Sequence, residues 1–166
     1  LWERDCSLQR RHQKLIEIAP APALPSGLRT RLLDAACRMA REVGYRGLGT
    51  FEFLVDVAAD AYWFIEANPR LQVEHTVTEE VLGLDLVALQ FAVAGGATLA
   101  DLSLAAPPPA PRESAIQLRI NTETLDADGN ARPSGGVIAH FEAPGGPGVR
   151  VDGAAYAGYA LNPGFD

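Results

Sequence analysis

The stretch Phe64-Ile65-Glu66-Ala67-Asn68-Pro69-Arg70-Leu71-Gln72-Val73-Glu74-His75 decides how the rest of the chain is read. Polar side chains recur at every second position, as Glu66, Asn68, Arg70, Gln72 and Glu74, with Ala67, Pro69, Leu71 and Val73 between them. In an extended chain, residues i and i+2 share a face. One face would then carry carboxylates, amides and a guanidinium in a row, and the other would be apolar. A solvated outer strand also alternates, but usually with Lys, Thr and Ser rather than metal-type and anion-type groups. Pro69 cannot donate to a ladder, so the chain leaves the sheet there or runs along its edge.

Upstream, Thr50 to Asp56 reads as a strand, Asp60 sits in a turn, and Ala61 to Glu66 returns as a hairpin. Glu52 and Glu66 interrupt apolar runs, and a buried carboxylate is costly unless it is paired or bound to a metal. With Asn68 following, they form an oxygen-rich set of the kind Mg2+ takes alongside phosphate oxygens and water. The alternative is salt-bridging to Arg46 or Arg70. Ser26 is a plausible N-cap for a helix whose apolar positions, Leu28, Leu32, Ala35, Ala36, Met39, Ala40 and Val43, follow the 3.6 period up to Gly44. Ala19 to Pro25 is a proline-rich connector. Before it, Gln9, Arg10, Arg11, His12, Gln13 and Lys14 are consecutive hydrogen-bond donors. They suit an anion, or form a solvated basic loop.

Downstream, Thr78 to Leu82 reads as a helix stopped by Gly83. Asp85 caps a second helix through about Val93, with Leu86, Leu89, Ala92 and Val93 as its apolar face. Prolines 107, 108, 109 and 111 mark a linker over 104–112. The expected division is 1–103, the linker, and a β-rich unit over 113–166 with strands at 115–120, 136–141 and 149–151.

The 166 residues are 48% hydrophobic, ordinary for a packed protein, and the net charge of -7 argues against a general nucleic-acid role. No apolar run approaches the roughly 20 residues of a membrane helix. Cys6 and Cys37 lack metal-type spacing, and a reduced, cytoplasmic setting is the plain reading. With no initiator Met, no signal pattern, and an end at Asn162 to Asp166 without a closing element, the chain reads as a piece of a larger protein.

Taken together, Glu3 to Lys14, Gly47 to Phe53, Phe64 to His75 and Leu118-Arg119-Ile120-Asn121 resemble the biotin carboxylase family, in family order and spacing. The resemblance implies an α+β fold: the C-terminal lobe of an ATP-grasp domain, an antiparallel sheet with helices, followed by the start of a β-rich biotin carboxylase C-terminal domain. By resemblance, Glu52 and Glu66, with Asn68 beside them, look like ligands of Mg2+ (or Mn2+) on the ATP phosphates. Gln9 and His12 look like nucleotide contacts, and Leu54 like a residue lining the adenine pocket. Lys14, Arg70, Gln72 and the backbone of Val73 look like the bicarbonate-binding set, Glu74 like the general base, and Arg119 like the residue that stabilises the biotin enolate.

The partners implied are a biotin carboxyl carrier domain and a carboxyltransferase domain, and the parent an acyl-CoA or pyruvate carboxylase. The turn Gly145 to Arg150 resembles one near the dimer contact of bacterial members, with Pro147 where an aromatic residue can occur, so a homodimer is left open. The family's N-terminal domain and its glycine-rich lid have no counterpart in these residues, so the chain alone is expected not to turn over ATP. The competing readings are another ATP-grasp ligase, such as a carbamoyl-phosphate synthetase, and a non-catalytic scaffold piece. The former would share Glu66, Asn68 and Arg70 but not the Gln9 to Lys14 run. His75, next to the base, is expected to serve packing or a structural hydrogen bond.

Overall fold

The structure is a computed structural model that describes residues 1–106, 111 and 113–162. Much of the expected linker, 107–110 and 112, and the tail 163–166 lie outside the described residues. The chain forms two compact units, Leu1–Arg119 and Ile120–Asp166. The first contains β1 (Asp5–Arg10), β2 (Gln13–Ala19), α1 (Ser26–Glu42), β3 (Thr50–Asp56), β4 (Ala61–Asn68), α2 (His75–Leu82), α3 (Leu86–Ala94) and β5 (Ala115–Leu118). The second contains β6 (Glu123–Leu125), β7 (Ala131–Pro133), β8 (Gly136–Val137) and β9 (Ala160–Leu161).

The basic run at the start is a hairpin rather than a loop. Arg11 and His12 join β1 to β2 with φ of 51° and 68°. Left-handed residues at both central positions match the twist of the flanking strands. β5 adds antiparallel to the other edge of β2, in the order β1-β2-β5, with Glu17 opposite Gln117. Glu17 and Ala19, two apart on β2, are each 1% exposed, while Ile116 and Leu118 on β5 are 66% and 60% exposed. Alternation thus gives this sheet one buried face. Helix α2 packs on that face against β2 and β5, forming a core of Ala19, Val77, Val81 and Leu82, with Trp2, Leu84 and Ala115 around it.

Helix α1 buries Leu28, Leu32 and Ala35, as its period predicts, but Val43 at its end is 75% exposed. The expected Ser26 cap is corrected. Pro25 is the N-cap, its carbonyl accepts from Arg29 N–H at 2.9 Å, and Ser26 is the first helical residue. Pro25, with φ -59° and ψ 144°, already aims the chain into the helix. Gly44, at φ 59°, ends it as expected.

Strands β3 and β4 pair with Glu52 opposite Glu66 and Phe53 opposite Phe64, which leaves Ile65 as an extra residue on β4. This bulge puts Trp63 and Glu66, three apart, on the face of Leu54 and Glu52. Phe53, Tyr62 and Phe64 meet edge to face on the other side. β4 stops at Asn68, before Pro69, as the missing donor requires.

Beyond Asn68, the expectation of one continuous extended face fails. Arg70 N–H donates to Asn68 O at 2.9 Å, His75 N–H to Gln72 O at 3.1 Å, and α2 starts at His75 rather than Thr78. Gly83 closes α2 with φ 66°, and Asp85 caps α3 by accepting from Ala88 N–H at 2.8 Å.

In the second unit, β6 and β7 form a hairpin closed by Asp126, which accepts from Asn130 N–H at 2.7 Å. Among the described residues, β8 pairs with β9 alone. The strand expected at 136–141 is just Gly136–Val137, and 149–151 is not a strand: Val149 N–H donates instead to Gly146 O at 3.1 Å, within a turn. The strand expected to open the second unit, β5, is instead bonded to β2 in the first.

Candidate functional site

The expected polar residues converge by a turn rather than along a strand. Lys14, on β2 just past the hairpin turn, places Nζ 2.6 Å from Glu52 Oε1 and 2.8 Å from Glu74 Oε1. Glu52 comes from β3, and Glu74 is the residue that leads into α2. Gln72, in the intervening turn, donates from Nε2 to Glu52 Oε1 at 3.1 Å. Asn68, the last residue of β4, donates from Nδ2 to Glu52 Oε1 at 3.1 Å and to Glu66 Oε1 at 2.7 Å. Two strand pairs and a helix start thus meet at Lys14. The cation on Glu52 is this lysine, not Arg46 or Arg70.

Burial would raise the Glu74 carboxyl, but hydrogen bonds from Lys14 and from backbone, with the charges of Lys14 and Arg4, outweigh it and hold Glu74 below its ordinary value. For Lys14, burial would lower the ammonium, and its bonds to Glu52 and Glu74 more than reverse that. Glu17, on the buried face of β2, shifts the other way. Burial first, then the nearby charge of Glu74, raises it, against the opposing pull of Lys14, Arg4 and Arg119. Its Oε2 has no hydrogen-bond partner. Burial also pushes the Cys6 thiol up to about 11, which fits an inert thiol.

The remaining expected residues stand more openly. Leu54 is 60% exposed and lies opposite Trp63, itself 52% exposed, on the face that carries Glu52 and Glu66. Glu66 is exposed, contrary to the expectation of two buried carboxylates, because β4 is open to solvent on that face. Gln9 is exposed and donates to Cys6 O at 2.9 Å, and His12 is exposed on the hairpin turn. Arg70 is exposed and turned onto Leu71 O at 3.2 Å, outside the cluster. Val73 is 52% exposed on the turn before Glu74. Arg119 follows β5 and is half-buried, its N–H donating to Leu15 O at 2.9 Å, beside the strand that bears Glu17. His75 has Nδ1 2.7 Å from Gln72 O, a structural bond that closes the turn.

The sequence reading counted Arg4 only as one more charge of the opening basic cluster and passed over Glu17. Arg4 donates to Gln72 Oε1 at 2.8 Å and reaches the hydroxyls of Thr50 and Thr78, each at 3.4 Å. Glu17 carries the signal used for Glu52, a carboxylate interrupting the apolar run Leu15, Ile16 and Ile18. Among the described residues, no three His, Cys, Asp or Glu side chains converge on a metal position. The pair Glu52 and Glu66, directly opposed with Asn68 beside them, does fit a cation that takes one or two carboxylates and completes its shell with phosphate oxygens and water.

Residues 1–102 match the family model of the carbamoyl-phosphate synthase L chain, ATP binding domain, and residues 117–166 match that of the biotin carboxylase C-terminal domain. Pyruvate carboxylase 1 of Caenorhabditis elegans is 52% identical over all of this chain, which spans 14% of that protein. Biotin carboxylase 1 of Bacillus subtilis (strain 168) is 49% identical over all of this chain, which spans 36% of it. Among solved structures, a single-chain, multi-domain long-chain acyl-CoA carboxylase superposes with a TM-score of 0.93 at 50% identity, over 98% of this chain and 17% of that one. The biotin carboxylase domain of a single-chain bacterial carboxylase does so at 0.89 and 52%, over 99% of this chain and 37% of that one. The fold, both family matches and the relatives agree that the chain belongs to the biotin carboxylase family, as part of its ATP-grasp domain with the start of its C-terminal domain.

Proposed function

We propose that these residues carry the bicarbonate-activating and biotin-carboxylating half of a MgATP-dependent biotin carboxylase. The observation that carries the reading is Lys14, whose one ammonium pairs with Glu52 of the oxygen-rich set and with Glu74, the proposed base. Glu52 and Glu66, with Asn68, would hold Mg2+. When bound, that ion neutralises charge on the transferring phosphoryl group. Leu54, with Gln9 and His12, would contact the nucleotide.

Gln72, the Val73 N–H, Lys14 and Arg70 would bind bicarbonate, Arg70 swinging from Leu71 O to grip the planar anion with two parallel hydrogen bonds. Glu74, held ionised by Lys14, would take the bicarbonate proton as its oxygen attacks the γ-phosphate. The carboxyphosphate so formed releases CO2 and phosphate. The Arg119 guanidinium would meet the charge that develops on the biotin ureido oxygen as the released phosphate takes the N1' proton and N1' attacks the CO2, which gives carboxybiotin.

Carboxybiotin on a carrier domain would pass to a carboxyltransferase domain of an acyl-CoA or pyruvate carboxylase. The need for MgATP and the free thiols Cys6 and Cys37 favour a cytoplasmic setting, and no described helix is long and apolar enough to cross a membrane. We assign 1–103 to the ATP-grasp part, 104–112 to a linker and 113–166 to the C-terminal domain, whose first strand, β5, is then the one that pairs with β2 of the ATP-grasp part.

The test is ATP hydrolysis dependent on bicarbonate and free biotin, in a chain carrying this sequence at the length of a biotin carboxylase domain. Glu74→Gln and Arg119→Ala should each remove most of it. ATP cleavage without need of biotin would favour another ATP-grasp ligase, and MgATP binding without turnover would sink the chemistry while sparing the fold.

A further inference from the structure

We propose that Arg4 is a positioning residue that fixes the Gln72 carboxamide as a donor group, and so sets the affinity of the site for bicarbonate. The inference rests on the reading of Gln72 as a bicarbonate contact. A guanidinium has donors only, so the amide atom facing Arg4 at 2.8 Å must be Oε1. On its other flank the amide meets Glu52 Oε1 at 3.1 Å, and an ionised carboxylate only accepts. Both neighbours impose the same orientation. A flipped amide would set N–H against guanidinium and oxygen against carboxylate, and Gln72, 6% exposed, has little solvent to turn into.

The consequence is chemical. Nε2 carries two hydrogens, and Glu52 takes one. The second is a donor directed by construction, where a free amide would present its oxygen half the time and repel an anion. Arg4 is itself braced, since its fork spans Thr50 of β3 and Thr78 of α2, both at 3.4 Å, besides Gln72 of the turn. A lysine has neither the width nor the planar array of donors to hold three acceptors on separate elements. Arg4 touches no reacting atom; its charge also helps to keep Glu74 ionised, but its hold on bicarbonate runs through Gln72, and Arg4→Lys keeps the charge while losing the fork.

The experiment is a double-mutant cycle in a chain of full biotin carboxylase length: wild type, Arg4→Met, Gln72→Ala and the double variant. Steady-state ATP cleavage would be measured against bicarbonate and, separately, MgATP. 13C-bicarbonate would be titrated by NMR in the presence of MgADP. Arg4→Met should raise KM for bicarbonate, and weaken bicarbonate binding, about tenfold or more, with KM for MgATP within about twofold of wild type. In the Gln72→Ala background the same change should add less than about twofold.

Arg4→Lys, which keeps the charge without the fork, should raise KM for bicarbonate at least about threefold, and it carries the test if Arg4→Met does not fold. Unchanged bicarbonate affinity in the Arg4 variants, or an equal loss with and without Gln72, overturns the proposal. A wild-type chain whose ATP cleavage ignores bicarbonate overturns the carboxylase reading beneath it, an outcome distinct from either.

Discussion

At the scale of single residues, the cluster is an argument about charge. Lys14 lies between Glu52 and Glu74 at 2.6 and 2.8 Å, so Lys14→Met leaves two carboxylates with one cation fewer. Bicarbonate-dependent ATP cleavage is expected to fall by about two orders of magnitude. Glu74 is held below its usual value chiefly against burial, by Lys14. The acid limb of the residual activity should therefore move to higher pH in Lys14→Met, which a pH–rate profile reads directly.

Glu17 works in the opposite sense. Its folded-state value is raised by burial and by Glu74, so the folded chain binds more protons than the unfolded one between the two values. Its contribution is favourable below the unfolded value and is lost as pH rises through the folded one. Above that range the ionised Glu17 is a cost of burial, which Glu17→Gln removes, although its carboxamide still sets a polar atom where Oε2 lacks a partner. The substitution should raise the thermal midpoint by a few degrees, about 1 kcal/mol, more at pH 8 than at pH 4. An equal gain at both pH values would contradict the charge argument.

At the scale of elements, what could be read in the sequence followed local chemistry. Gly44, Gly83, Pro69 and Asp85 each act through their own backbone or side chain, and each ends or caps an element where expected. The Asp85 cap gives a prediction. Asp85→Ala removes the acceptor for Ala88 N–H and should cost about 1 kcal/mol, measured by denaturant titration.

What stayed hidden depends on partners far along the chain. The β1–β2 hairpin turns on Arg11 and His12, at a left-handed turn usually announced by Gly or Asn. The Ile65 bulge breaks the two-residue alternation that would put Glu66 with Phe64, so the sequence pattern alone misassigns the faces of β4. Period-2 reasoning did bring Glu66 and Asn68 together, bonded at 2.7 Å. It failed for Gln72 and Glu74, which reach Glu52 and Lys14 because the chain turns after Asn68. Arg4 left no local signal, since its partners Thr50, Gln72 and Thr78 lie 46 to 74 residues away.

At the scale of the whole molecule, the decisive contrast is between a closed charged cluster and an open β3–β4 face, the proposed nucleotide side. Glu74 and Gln72 are 5% and 6% exposed, while Leu54 and Trp63 on the face of Glu52 and Glu66 are 60% and 52% exposed. An adenine ring stacked on that face would be covered from one side only, whereas small-molecule sites typically bury 70–90% or more of their ligand. The chain spans 36% of the biotin carboxylase relative from Bacillus subtilis, so the remaining 64% of such a protein is available to cover the other side. The 166 residues alone should therefore bind MgATP weakly, at millimolar Kd or worse, and show no bicarbonate- and biotin-dependent ADP release. The same sequence at the length of a biotin carboxylase domain should bind at least about a hundredfold tighter, a gain of about 2.7 kcal/mol. Trp63 supplies the readout, since nucleotide seated beside Leu54 would cover its indole and change its fluorescence, and Trp63→Phe separates that signal from Trp2. Micromolar MgATP affinity in the short chain, or turnover by it, would mean that the exposed β3–β4 face is a complete site, and the division of labour argued here would fall.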